Sequence, residues 1–212
     1  MKNRYQTEHN LEAQVEPGSD GAVLVNKLQI KRIKDINDME LSLLIQLVDK
    51  VLDEVTEDQI ISANDLCLWH KHWLGNVYDW AGEYRTVNIG KAEFQFASAH
   101  LIPRLMQDLN HKFLSVYLPC KGMTDEQLIE AMAKVHIEFI LVHPFREGNG
   151  RLSRLLANIM ALQAGQPMLD FSVMDNKKQD YFTAVQAGLD NDQPMQEIFK
   201  QVLQLSQKNA AS

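Results

Sequence analysis

The sequence has few of the features that mark secreted or membrane-spanning proteins. It contains only two cysteines, Cys67 and Cys120, which lie in apolar stretches without the spacing of a metal site. We therefore expect buried free thiols and a reducing compartment. The first 16 residues are polar and unlike a signal peptide, and no apolar run reaches the length of a membrane span. These absences predict a soluble cytoplasmic protein with no membrane partner, although a specialised secretion route would leave no mark of this kind.

The chain also lacks an excess of basic residues. Lysine and arginine number 21 against 28 aspartates and glutamates, which gives a formal net charge of −7. A general nucleic-acid-binding protein would present a basic face, so we expect no nucleic acid partner. A polyanionic ligand would have to be held locally by a few arginines and a metal ion, because the net charge does not attract it.

The sequence does contain enough apolar material for one domain of ordinary size. Hydrophobic residues make up 45% of the 212 positions, which is sufficient for a buried core. The first 21 residues are polar and end in the turn-rich sequence Pro17-Gly18-Ser19-Asp20-Gly21. We therefore expect an extended or mobile N-terminal arm over residues 1–21 and a single domain over residues 22–212.

Helical periodicity dominates the domain and predicts an all-α fold. Apolar stripes with start and stop signals predict helices over residues 37–52, 63–74, 98–118, 124–142, 152–164, 177–189 and 194–205. Ser62 with Asp65 and Thr124 with Gln127 resemble capping boxes. For the first helix we expect a cap at Asp35 or Asn37 and a buried stripe of Leu41, Leu44, Ile45, Val48 and Leu52.

One segment departs from the helical pattern and predicts a small β-hairpin. Residues 84–89 form one expected strand, Gly90-Lys91-Ala92 the turn and residues 93–96 the second strand. A two-stranded hairpin is marginal alone, so it must pack on the helices. It is either a structural flap over the core or an edge on which an extended peptide docks by strand addition.

The loop from His143 to Arg151 concentrates the chemistry of the chain. It lies between two apolar helices, and Pro144 favours a helix end at His143. Gly148 and Gly150 allow backbone amides to gather at the start of the second helix, where an anion is favoured. Each residue alone could belong to a plain turn or a solvated surface. Together, a histidine, a carboxylate, free amides and two arginines on one helix face indicate a polyphosphate with a bound metal.

The loop sequence His-Pro-Phe-Arg-Glu-Gly-Asn-Gly-Arg resembles the signature of the Fic family, His-Pro-Phe-x-Asp/Glu-Gly-Asn-Gly-Arg, at every fixed position. Arg154 is similar to the family's second arginine, and residues 75–82 with 85–87 resemble the segment before its flap. The resemblance implies an α-helical bundle with a small β-hairpin flap. It also implies transfer of AMP from ATP to a serine, threonine or tyrosine hydroxyl of a target protein, with Mg²⁺ and release of pyrophosphate.

The same resemblance implies a role for each position. His143 would be the general base, Glu147 the Mg²⁺ ligand, and Phe145 an anchor of the loop in the core. The other implied contacts are with the nucleotide. The backbone amides of Gly148, Asn149 and Gly150 would bind phosphate oxygens, and Arg151 and Arg154 would bind the β- and γ-phosphates. Tyr181 and Phe182 would either contact adenine or only pack their helix. Lys91 would approach the nucleotide or the target protein.

Two alternatives to AMP transfer remain open. One is a related kinase-like phosphotransferase that binds the nucleotide in the reverse direction, although its loop usually departs from Gly-Asn-Gly-Arg. The other is a non-catalytic nucleotide-binding interaction module, which would be expected to have lost the histidine or the glycines. Both features are intact in this sequence.

The sequence also makes a prediction about inhibition. Many Fic proteins carry a helix with Ser/Thr-x-x-x-Glu-Gly/Asn, whose glutamate blocks the second arginine. The strict motif is absent from this sequence, although a degenerate version near Glu40 or Glu54 stays open. We therefore expect an open γ-phosphate site at Arg154 and inhibition by a separate antitoxin-like protein that pairs a carboxylate with Arg154.

Overall fold

The computed structural model describes residues 11–91 and 94–211, and its core is helical. A short 3₁₀ turn at Leu11–Ala13 precedes the main elements. In chain order these are α1 (Ile33–Glu54), α2 (Ala63–Leu74), β1 (Gly90–Lys91), β2 (Phe94–Gln95), α3 (Ile102–Leu109), α4 (Ser115–Tyr117), α5 (Asp125–Val142), α6 (Asn149–Gln163), α7 (Ser172–Asn176), α8 (Lys178–Ala187) and α9 (Gln193–Ala210). Within the described part of the chain the only sheet is the antiparallel pair of β1 and β2, so the predicted all-α class with a hairpin flap is confirmed.

The centre of the bundle is α5, which packs against α6 and α9. Ser62 with Asp65 and Thr124 with Gln127 make the expected reciprocal capping boxes at the starts of α2 and α5. The apolar face of α5 is fully buried, through Leu128, Met132, Val135, Phe139 and Val142. None of the described helices is both long enough and apolar enough to cross a membrane.

Helix α1 corrects one sequence prediction. It begins at Ile33, its N-cap is Arg32 without a side-chain cap bond, and Asp35 therefore lies inside the helix together with Asn37. The predicted buried stripe is also wrong, because Leu41 is 54% and Ile45 56% exposed. The face that packs on the bundle is Ile36, Glu40, Leu47 and Val51.

Glu40 explains why the wrong face was predicted. Its side chain is buried at 4% exposure, where it accepts a hydrogen bond from the Tyr78 hydroxyl at 2.7 Å and pairs with Arg151 at 2.7 Å. A carboxylate can enter a core only when it is paired and hydrogen-bonded. Its partners come from distant parts of the chain, so hydrophobic periodicity assigns Glu40 to solvent.

The hairpin is shorter than predicted. Residues 84–89 are not a strand, and the pairing is limited to Gly90 opposite Gln95 and Lys91 opposite Phe94. The expected turn residue Ala92 and the expected strand start at Glu93 lie outside the described residues. The backbone before β1 is diverted because the side chain of Arg85 is buried among carbonyl groups of the core rather than exposed on a strand face.

Three other helix boundaries differ from the predictions. The predicted helix over residues 98–118 is divided into a 3₁₀ turn at Ala99–Leu101, α3, a π-helical segment at Asn110–Leu114 and α4, and Ser98 makes no side-chain cap bond. The predicted turn before residue 177 contains α7. Helix α9 continues to Ala210, with Pro194 in its first turn as expected.

The described part of the N-terminal arm lies against the domain instead of extending away from it. A β-bridge joins Val15 and Leu24. The buried Glu12 accepts a hydrogen bond from the Thr86 amide at 2.9 Å, and its carbonyl accepts one from the Arg146 guanidinium at 2.8 Å. Residues 1–10 lie outside the described range, and the domain boundary at residue 22 stays a prediction.

Candidate active site

The signature loop begins where α5 ends. His143 has a left-handed backbone with φ of 49°, and its amide donates to the Phe139 carbonyl. Such a backbone is uncommon outside glycine and is held here by its surroundings. The Arg85 guanidinium donates to the His143 carbonyl at 2.7 Å, and the Arg85 amide donates to the Pro144 carbonyl at 2.8 Å. Arg85 therefore fixes the first turn of the loop, a role that the sequence analysis did not predict.

The Arg85 side chain also connects the loop to the flap. It is buried and donates to the carbonyl groups of Val87 at 2.7 Å and Ala97 at 2.6 Å, on either side of the hairpin. Burial lowers the pKa of Arg85, because the charged guanidinium loses water, yet four carbonyl partners compensate for that loss. The sequence feature that could have indicated this role is the position of Arg85 in residues 85–87, which resemble the family segment before the flap.

The second half of the loop is closed by Asn149 and Gly148. The Asn149 side chain is buried, accepts from the Phe145 amide at 2.9 Å and donates to the Phe145 carbonyl at 2.8 Å. Gly148 has φ of 83°, and a Cβ there would lie 2.6 Å from the Trp73 ring. Only glycine therefore fits at this position. The predicted backbone role of Asn149 stays a prediction, while its side chain has a clear structural role.

The loop rests on an aromatic floor. The Phe145 ring is fully buried and stacks on the His70 ring at 4.0 Å. The Gly82 amide donates to His70 Nδ1 at 2.8 Å, and His70 Nε2 lies 3.1 Å from the Glu147 carbonyl. Burial lowers the pKa of His70 to about 4, so the ring is neutral. The stripe of α2 that contains Trp69, His70 and Trp73 is thus part of the core, and it packs beneath the loop.

His143 has a different arrangement. Its Nδ1 lies 3.2 Å from the Ile140 carbonyl, and its ring stacks on Phe96 of the flap at 3.8 Å. A carbonyl oxygen can only accept, so we assign the proton to Nδ1. Burial lowers the pKa of His143 to about 4, so Nε2 carries a lone pair near neutral pH. Among the described residues, no side chain or backbone group hydrogen-bonds to that nitrogen.

His143 lines a cavity of about 480 Å³, which we call the site cavity. Its walls come from the flap, the signature loop, the start of α6 and α8, and its volume lies in the range of small-molecule sites. The lining residues are Ile89, Gly90, Lys91, Phe96, Ile140, His143, Arg146, Glu147, Gly150, Tyr181, Phe182 and Val185. The fold thus brings Lys91, Tyr181 and Phe182, which lie far away in sequence, to His143 and Glu147 of the loop.

The side chains of the two predicted phosphate-binding arginines contact different parts of the molecule. Arg151 pairs with Glu40 and lies 4.6 Å over the Trp73 ring, on the side of α1 and α2. Arg154 makes two bonds of 2.8 and 3.2 Å to Asp175 of α7. Neither arginine lines the site cavity. The expectation of an open Arg154 is therefore wrong for this conformation, because a carboxylate within the chain already occupies both of its terminal nitrogens.

Glu147 is the carboxylate that the loop presents to the site cavity. Burial and the charge of Glu40 raise its pKa, and the nearby Arg146 and Arg151 oppose that rise. Within the described residues, no group of three or more histidine, cysteine, aspartate or glutamate side chains could hold a metal ion. A single carboxylate fits Mg²⁺ that takes its remaining ligands from phosphates and water, and does not fit a metal held by protein alone.

Comparison with known proteins agrees with this geometry. Residues 60–161 match the model of the Fic/DOC family. The matched segment, residues 60–161, is a Fic domain. It is 33% identical over 104 residues to the probable protein adenylyltransferase Fic of Salmonella typhimurium, covering 47% of this chain and 50% of that protein. It is 31% identical over 132 residues to the protein adenylyltransferase Fic of Nematostella vectensis, covering 61% of this chain and 28% of that one. The chain thus spans half or less of the length of these two curated relatives.

Solved structures extend the likeness beyond the family match. The BepC protein of Bartonella tribocorum, with bound AMPPNP, superposes with a TM-score of 0.71 at 24% identity, over 92% of this chain and 98% of that one. The Fic domain of a Bartonella effector protein from Bartonella sp. AR 15-3 superposes with a TM-score of 0.75 at 21% identity, over 94% and 95% of the two chains. At these identities the likeness establishes the Fic fold over nearly the whole chain.

Proposed function

We propose that this protein transfers AMP from ATP to a serine, threonine or tyrosine hydroxyl of a target protein. The observation that carries the proposal is the Nε2 lone pair of His143, which is free of protein partners among the described residues and belongs to a ring that lines the site cavity. The names of the curated relatives support the same reaction.

The chemical step requires one base. The target hydroxyl oxygen attacks the α-phosphorus of ATP, a new phosphorus–oxygen bond forms, and the bond to the oxygen bridging the α- and β-phosphates breaks. Pyrophosphate leaves, and the hydroxyl proton passes to Nε2 of His143. The Nδ1–H bond to Ile140 would hold the ring in the tautomer that can accept this proton. Stacking on Phe96 would hold the ring plane.

The start of α6 would bind the phosphates. The amides of Gly148, Asn149 and Gly150 lie at the helix N-terminus, where free N–H groups and the helix dipole favour an anion. The positive charge of Arg151, whose side chain is held by Glu40, would attract the phosphates. Arg154 must first break its ion pair with Asp175 before it can contact a phosphate. Tyr181 and Phe182 would meet the base, and Lys91, which lies 5.3 Å from the centre of the Phe182 ring, would close the site from the flap.

Glu147 would hold Mg²⁺ against the phosphates. When bound, the ion would neutralise part of their charge. Replacing Glu147 by glutamine, which keeps the shape but removes the charge, should raise the Mg²⁺ concentration needed for tight ATP binding. An unchanged Mg²⁺ dependence would remove Glu147 from the metal site.

Two kinds of protein partner follow from the proposal. The target would dock on the flap, whose strand residues Gly90, Lys91 and Gln95 are exposed. A separate antitoxin-like inhibitor would present a carboxylate to Arg154, and it would now have to displace Asp175.

Labelled ATP provides the decisive experiment. The protein is incubated with a lysate of its source cell and Mg²⁺, once with ATP labelled at the α-phosphate and once with ATP labelled at the γ-phosphate. Label retained on protein only from the α-position supports AMP transfer, and label only from the γ-position would support the kinase-like alternative. Retention from neither would contradict both transfers and favour the binding module.

A pair of histidine variants makes this experiment specific. His143→Ala should abolish label retention, while His72→Ala, which removes an exposed histidine of α2, should leave it unchanged.

A further inference from the structure

A further buried histidine, on α5, contacts the wall of the site cavity. His136 is only 2% exposed, and its Nε2 lies 2.9 Å from the hydroxyl oxygen of Tyr181, a residue of the cavity wall. Its ring also packs edge-on against Tyr181 and Phe199. Among the described residues, Nδ1 of His136 has no hydrogen-bond partner.

His136 is neutral at ordinary pH. Burial, assisted by the positive charge of Arg154, lowers its pKa to about 3. A neutral imidazole has one N–H donor and one lone pair, so only two arrangements with Tyr181 are possible. In the first, Nε2–H donates to the tyrosine oxygen and a lone pair remains on Nδ1. In the second, the tyrosine donates to Nε2 and a proton remains on Nδ1.

The orphaned Nδ1 distinguishes the two arrangements. The second leaves a buried N–H donor without an acceptor, and orphaned buried N–H groups are the rarer defect in folded proteins. The first leaves no N–H donor of His136 without an acceptor. It also leaves the Tyr181 O–H proton without a protein acceptor among the described residues, since His136 is the only hydrogen-bond partner of that hydroxyl there.

We infer that His136 is a positioning residue that donates from Nε2 to Tyr181 and so turns the Tyr181 O–H toward the site cavity, as a donor to an acceptor atom of the bound base. The ligand half of this inference rests on the proposed function, because it takes the occupant to be ATP. Burial raises the pKa of Tyr181 to about 12, so the hydroxyl keeps its proton near neutral pH.

The chemistry makes Tyr181 a specificity element rather than a general stacking surface. A ring that only stacks accepts any base, whereas an oriented O–H group selects a base with a lone pair at that point. Adenine has ring acceptors at N1, N3 and N7. One of these nitrogens would accept the hydrogen bond from the Tyr181 hydroxyl. An ATP analogue without that nitrogen would lose one neutral hydrogen bond.

The tautomer is tested by nitrogen-15 NMR of the full chain with labelled histidine. His136→Gln identifies the His136 signals by their loss. The inference expects the proton on Nε2 and an unprotonated Nδ1. A proton on Nδ1 would overturn it, whatever the protein proves to transfer.

Ligand recognition is tested by binding of ATP and of 1-deaza-, 3-deaza- and 7-deaza-ATP to the wild-type protein and to Tyr181→Phe. One analogue should bind wild type roughly two- to ten-fold more weakly than ATP, and Tyr181→Phe should lose that discrimination. Tyr117→Phe removes a hydroxyl outside the cavity lining and should retain it. Equal discrimination in wild type and Tyr181→Phe, or no ATP binding at all, would overturn the ligand half.

These measurements are separate from the test of AMP transfer. Failure of label transfer with the expected tautomer and analogue pattern would overturn the proposed reaction and leave the inference intact. Normal label transfer with a proton on Nδ1 of His136 would do the opposite.

Discussion

His70 packs against the signature loop and His143 is the first residue of that loop, and the two histidines are alike in most respects. Each stacks on a phenylalanine ring, at 4.0 Å for His70 with Phe145 and 3.8 Å for His143 with Phe96. Burial lowers the pKa of each to about 4. The difference is in their hydrogen bonds. Both nitrogens of His70 have protein partners, whereas His143 uses only Nδ1 in the part of the chain that the structure describes. Residue type and burial therefore do not single out a candidate base. Among the described residues, His143 combines a nitrogen without a protein partner with a ring that lines the site cavity.

The same contrast holds for the two sides of the loop as a whole. On the side toward α1 and α2, Arg151 and His70 both have partners within the protein: Glu40 pairs with Arg151, and the Gly82 amide and the Glu147 carbonyl hydrogen-bond to His70. On the opposite side, Nε2 of His143 has no partner among the described residues, and the Arg154–Asp175 pair, which lies outside the lining of the site cavity, is partly exposed to solvent. We expect substitutions on the first side to change stability and substitutions on the second to change function.

The largest expected effect is loss of transfer in His143→Ala. Removing a positioned base lowers rate by about 10²–10⁴-fold. Label transfer and urea unfolding should be measured on the same preparation, because the fold and ATP binding should remain. Near-normal transfer by a folded His143→Ala protein would remove this histidine from the mechanism.

His70→Ala should show the opposite pattern. It leaves the Gly82 amide and the Glu147 carbonyl without partners and opens a space under Phe145. We expect the free energy of unfolding to fall by about 2–5 kcal/mol, from the orphaned groups and the cavity together. Urea unfolding followed by tryptophan fluorescence measures this. A His70→Ala protein that is as stable as wild type but has lost AMP transfer would contradict the expectation that substitutions on this side of the loop change stability rather than function.

A third prediction concerns acid. In the unfolded chain His70 takes up a proton near pH 6.5, but in the folded protein only near pH 4. Between these values the unfolded state binds more protons, so the free energy of unfolding falls as pH falls, by up to about 1.4 kcal/mol per pH unit for this residue. Unfolding of wild type and His70→Phe at pH 7.5, 6.5 and 5.5 should show the shallower dependence in the variant.

The pH comparison is made between two proteins because other groups titrate as well. The raised pKa values of Glu138 and Glu147 act in the opposite direction, and they are common to both proteins. Parallel pH dependences would show that His70 is not the neutral core group described here.

The sequence predicted the site better than it predicted the packing around it. The order of α5, loop and α6 is encoded locally, by the Thr124 capping box, Pro144 and Gly148, so it could be read from the chain. The buried face of α1 could not, because Glu40 is buried only through partners on other elements. In the same way, three-residue spacing places Arg151 and Arg154 on neighbouring positions, but their acidic partners turn them apart.

The smallest expected effect tests whether a phosphate of ATP can replace Asp175 as the partner of Arg154. The Asp175 side chain is 54% exposed, and an exposed ion pair is worth about 0–1 kcal/mol. If a phosphate of ATP replaces Asp175 on Arg154, Asp175→Asn should tighten ATP binding by up to about five-fold, because no internal pair has to be broken first. Calorimetric titration at low salt measures this gain, which should shrink at high salt as the pair is screened.

Asp180→Asn is the matched control for this gain, since it removes the same charge from an exposed position on the neighbouring α8 without touching Arg154. An equal gain in Asp180→Asn would mean that net charge, and not release of Arg154, tightens binding. In Arg154→Ala the Asp175→Asn substitution should give no gain, because the only group it releases is gone. A gain that persists there would show that Arg154 is not the group through which Asp175 weakens ATP binding.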